Sequence, residues 1–71
     1  MSKQYEEAID EVKKALKLLD YAHKCMGYAT DQLYGIDEET RTVICYLIRM
    51  ITAAGECLKD TLYEMEASED E

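Results

Sequence analysis

Seventy-one residues make one small domain at most, and a chain this short buries little surface unless a disulfide framework, a metal or a partner chain helps it. The absence of Pro, only three Gly, and an abundance of Ala, Leu, Glu, Lys, Met and Ile exclude a turn-rich β fold and predict an all-α chain. A net charge of −8 argues against direct contact with nucleic acid or an anionic membrane surface, both of which require clustered Lys and Arg.

Helix 1 is predicted over about 3–34. Ser2 is a competent N-cap, and the apolar positions Tyr5, Ile9, Val12, Leu16, Leu19, His23, Met26, Thr30 and Leu33 then step alternately by four and three. This is a heptad seam, with Ile9, Leu16, His23 and Thr30 at a and the remainder at d. Ala8, Ala15, Ala22 and Ala29 all fall at g, where a column of methyl groups favours close approach of a neighbouring helix. Alanine is also simply a good helix former.

Gly35 is the expected stop, able to take a left-handed conformation, with Ile36 folding back onto the last turn. Asp37 is placed to cap the next helix, and Glu38 and Glu39 lie where carboxylates meet the positive end of its dipole. A turn over 35–37 is short enough to force an antiparallel hairpin.

Helix 2 is predicted over about 38–66, with a seam at Thr40, Ile44, Leu47, Ile51, Ala54, Leu58, Thr61 and Met65. Residues 1–66 then form the helical hairpin, and 67–71, small or acidic, are expected to be a disordered tail. Acidity is concentrated here: residues 36–71 carry three bases against ten acids, whereas 1–35 carry five against six. That imbalance leaves room for a basic protein partner.

The most apolar stretch is 43–54, V-I-C-Y-L-I-R-M-I-T-A-A, whose only charge is Arg49. A helix lying on one partner needs one apolar stripe, so this stretch implies burial on two sides. The second stripe reads Val43, Tyr46, Met50, Ala53 and Cys57, and helix 1 carries its own at Leu18, Tyr21, Cys25 and Tyr28. Within a hairpin both come to the same level and form a candidate oligomer or partner interface. The predicted assembly is a homodimer, two hairpins making a four-helix bundle with both seams filled. Gly27 and Gly55, costly inside helices, are explained by close backbone contact or by tolerance alone.

The residues with chemical potential favour plain roles. His23, the only histidine, is expected as a hydrogen-bonded interior residue. Cys25, Cys45 and Cys57 lack CxxC spacing and no secretory signal precedes them, so buried or semi-buried reduced thiols in a cytoplasmic protein are expected, the alternative being a bridge between Cys25 and Cys45, which lie near one level. Lys13, Lys14 and Lys17 are expected opposite Glu56 and Asp60 as exposed ion pairs. The carboxylate pairs Glu6 with Asp10 and Glu7 with Glu11 have helical spacing but lack a Glu-x-x-His companion. No phosphate loop, nucleophile with a base, zinc spacing or membrane-length segment is present, so no catalytic residue, metal or cofactor is expected. The leading functional expectation is a non-enzymatic interaction module: an adaptor, regulator or inhibitor. The alternatives are an acidic mimic of nucleic acid that blocks a DNA- or RNA-binding protein, and a bundle that binds a small ligand.

Overall fold

The computed structural model describes residues 2–69, and they form an antiparallel hairpin of two long helices, α1 (Lys3–Leu33) and α2 (Glu38–Glu69). The Ser2 hydroxyl accepts the Tyr5 N–H at 3.1 Å, and the Ser2 carbonyl accepts from Tyr5 and Glu6, so the first turn of α1 is closed as its N-cap requires. Strong helix formers then carry α1 without interruption to Leu33.

The chain reverses in four residues. Gly35 takes a φ of +75°, in the region where only glycine is unstrained, and lets the Ile36 and Asp37 N–H groups both return to the Leu33 carbonyl at 2.9 and 3.1 Å. The expected fold-back of the Ile36 side chain does not occur. It is 79% exposed, because the turn is held by these backbone bonds and needs no apolar contact. At the start of α2 the Asp37 carboxylate accepts the Thr40 N–H at 3.1 Å and the Thr40 hydroxyl at 2.7 Å. Glu38 reaches back to the Gly35 N–H at 2.7 Å. Both ends of the turn are therefore tied by side chains that satisfy otherwise orphaned backbone donors.

Helix α2 continues through Ala67 and Ser68 to Glu69, past the stop expected near Glu66. Each added residue extends an existing helix by one hydrogen bond without a new nucleation cost, which outweighs the repulsion among exposed acids. The last two residues of the expected tail, Asp70 and Glu71, lie outside the described residues.

The two helices pack with the α1 seam inward. Ile9 and Thr30 are buried, and Tyr5, Val12, Leu16, Leu19, Met26 and Leu33 are half-buried. The Thr30 hydroxyl donates to the Gly27 carbonyl at 2.7 Å, which satisfies this buried polar side chain. On α2 the inward face departs from the expected seam. Ile44, Ile51, Leu58 and Met65 are there as predicted, but their companions are Arg41, Ile48, Gly55 and Leu62, while Thr40, Leu47, Ala54 and Thr61 are exposed. The helix is turned by about half a residue step, roughly 50°, from the predicted setting. Exchanging Leu47 for Ile48 is close to neutral, burying Leu62 in place of Thr61 removes more apolar surface from water, and the Thr40 hydroxyl is already engaged in the Asp37 cap.

Arg41 closes this seam beside the turn. Its Nε donates to the Thr30 carbonyl at 3.3 Å, its guanidinium lies 5.3 Å from the centre of the Tyr34 ring, and it approaches Glu38 at 3.7 Å. The numbers of Arg41 and Thr30 add to 71, the register of an antiparallel hairpin that reverses at residues 35 and 36.

Candidate interaction face

Every residue of the two extra stripes is exposed. Leu18 and Tyr21 are each 68% exposed and Tyr28 71%, while on α2 Val43, Tyr46 and Met50 range from 53 to 65%. Cys25, Ala53 and Cys57 are exposed as well. With about 100° of rotation per residue, the α1 stripe is centred roughly 130° from the direction of α2, displaced toward the alanine column. The α2 stripe is centred roughly 155° from the direction of α1, displaced toward Leu47 and Ala54. Because the helices are antiparallel, these two displacements bring both stripes to the same broad side of the hairpin.

The rotation of α2 enlarges this side. Leu47, expected in the core, is 42% exposed there, and Ala54 joins it. Ala15, Ala22 and Ala29 are half-buried between the α1 seam and the outer stripe, so the apolar surface runs unbroken from core to rim. Within the span of residues 15–29 on α1 and 43–57 on α2, no charged residue lies on this side. Tyrosines stand at its two edges, and the Tyr46 ring has the Arg49 guanidinium 5.8 Å from its centre. An uncharged centre with Tyr and Met, and polar groups at the rim, is the composition of a protein interface.

The opposite side is polar. A shallow groove there is floored by Leu16, Leu19, Ile51 and Gly55 and walled by Asp20, His23, Thr52, Glu56 and Lys59. His23, expected inside, is exposed in this groove. The other a positions, Ile9, Leu16 and Thr30, are buried or half-buried, so the exposure of His23 is local to this groove, where Gly55 offers no side chain to cover it. Gly27 and Gly55 also lie on this side, and a Cβ built on either meets nothing within 4 Å. Close backbone approach within the hairpin is therefore not the reason for either glycine.

The ion pairs also differ from the expected set. Lys13 pairs with Glu66 at 3.7 Å across the helices, and Lys14 with Glu11 at 2.9 Å along α1. No pair to Glu56 or Asp60 forms among the described residues. The hydrogen bond from Lys14 to Glu11, reinforced by the carboxylate charge, raises the lysine above its ordinary pKa. All three cysteines are free thiols, Cys45 half-buried and the other two exposed. Among the described residues no three His, Cys, Asp or Glu side chains gather as metal ligands, and no helix is long and apolar enough to cross a membrane.

The geometry defines a two-helix hairpin with one uncharged apolar face and one charged, grooved face. No family model matches the chain, and no curated protein or solved structure matches it significantly.

Proposed function

We propose that this chain is a non-enzymatic interaction module that works as a homodimer, two hairpins closing their apolar faces into a four-helix bundle. The observation that carries the proposal is the exposed surface. The hairpin, 53 × 15 × 12 Å in extent, exposes 5665 Å². A compact monomer of 8.2 kDa would expose about 4,500 Å², so the excess is about 1,100 Å². A stable interface buries about 800 Å² on each partner, close to that excess. The face is free of charge at its centre, so a second copy covers it without stranding an ion in a dry interface. Its Tyr, Met and Leu side chains give a large area at modest entropic cost.

Met50 lies near the middle of the face and is 65% exposed. Met50→Glu puts a charge where the partner packs, so the expected result is a halved mass by sedimentation with the helical circular dichroism largely kept. An unchanged oligomer mass would remove the apolar face from the assembly.

A further inference from the structure

We infer that the two copies pack antiparallel, the turn of one hairpin toward the chain ends of the other, so that α1 lies on the partner's α1 and α2 on the partner's α2. This rests on the self-association proposed above and adds its symmetry. A two-fold axis in the plane of the interface has two settings. Along the helices it gives parallel hairpins with α1 over the partner's α2. Across the helices it gives antiparallel hairpins with like helices stacked.

The spacing of the exposed side chains fits both settings, and the distribution of charge decides between them. With the axis along the helices, residues at one level meet, which sets Leu18 opposite Ala53, Tyr21 opposite Met50, Cys25 opposite Tyr46 and Tyr28 opposite Val43. With the axis across the helices the stripes close as well. On α1 the stripe reverses onto itself about position 23, which sets Leu18 of one copy opposite Tyr28 of the other and Tyr21 opposite Cys25. On α2 it reverses about Met50, which sets Tyr46 opposite Ala54 and Leu47 opposite Ala53, a large side chain facing a small one each time. Positions 23 and 50 lie within about one helical turn of the same level of the hairpin, as Arg41 and Thr30 show by their direct contact. One straight axis therefore serves both helices.

The distribution of charge along the hairpin separates the two settings. At the open end, residues 2–14 and 56–69 carry four bases against nine acids, a net −5. The middle, 15–23 and 49–55, carries +1, and the turn end, 24–48, carries −2. Parallel packing would place two −5 ends side by side at about the 10 Å spacing of packed layers, close to one screening length in physiological salt. Antiparallel packing sets the centres of these ends about 40 Å apart, at 1.5 Å per residue on either side of the axis, several screening lengths, and puts each beside the partner's less acidic turn end. The dimer then presents two identical acidic arms, one at each end, each extending beyond the partner's turn because the apolar face lies nearer the turn than the chain ends.

Resonance energy transfer between copies labelled at the N-terminal amine tests the arrangement in the native chain, donor-labelled and acceptor-labelled protein being mixed after its mass is measured. Antiparallel packing predicts a dimer mass and weak transfer, the labels standing about 60 Å apart. A dimer with near-complete transfer would overturn the antiparallel arrangement and leave self-association standing. A monomer at micromolar concentration would overturn both. Met50→Cys gives a second reading by peptide mapping after mild oxidation. A disulfide joining position 50 of both copies is expected, and one joining it instead to Cys25 of the other copy would indicate parallel packing.

Discussion

Gly27 and Gly55 each sit inside a helix with open space where a Cβ would be. Glycine there costs about 1 kcal/mol relative to alanine, so Gly27→Ala and Gly55→Ala should each raise the melting midpoint by several degrees. Both lie on the charged side, so the oligomer mass should stay the same. A lowered midpoint, or a changed mass, would mean that a partner approaches the groove closely. Asp37 is the other residue with a clear individual effect. The Thr40 hydroxyl, and then the Thr40 backbone N–H, stabilise its ionised form and hold its pKa below the ordinary aspartate value. A carboxyl lowered in the folded state contributes stability that is complete above the unfolded value and is lost as pH falls through the native one. The difference in melting midpoint between the natural chain and Asp37→Ala should therefore shrink on acidification through that range. A difference that stays constant into strong acid would show that the cap does not depend on ionisation.

At the scale of the elements, the setting of α2 about its own axis is the decisive feature. Leu62 is half-buried against α1 and Thr61 is exposed, its hydroxyl bonded to the Cys57 carbonyl at 2.9 Å. Leu62→Ala should cost about 1 to 2 kcal/mol in denaturant unfolding, less than a fully buried leucine because the site is only half covered. Thr61→Ala should change stability by no more than about 0.5 kcal/mol. Equal costs at the two positions would return α2 to the setting predicted from its seam. The series Ile44, Ile48, Ile51, Leu58, Leu62 and Met65 has the same alternating spacing as the predicted seam, so the periodicity of α2 was legible in the sequence. Which of two adjacent stripes faced α1 was not, because α2 is apolar around most of its circumference between 43 and 54. On α1 the polar residues leave a narrower choice, and the predicted seam stands except at His23.

For the whole molecule, a hairpin in which only Ile9 and Thr30 are buried among the described residues has little core of its own. If the second layer is another copy, folding and association are linked by mass action, and the melting midpoint should climb with protein concentration. Calorimetry across a hundredfold dilution checks this, and an invariant midpoint would show that the hairpin folds without a partner. The all-helical content, the turn at Gly35, the capping by Ser2 and Asp37, and the two apolar stripes followed from the sequence, because each depends on contacts within a few residues of the chain. The rotation of α2, the exposure of His23, the contact of Arg41 with Thr30 and the addition of Leu47 to the face that the two stripes form were decided only by tertiary packing. These depend on how two helices share limited apolar surface, and that choice is made by the pair, not by either helix alone.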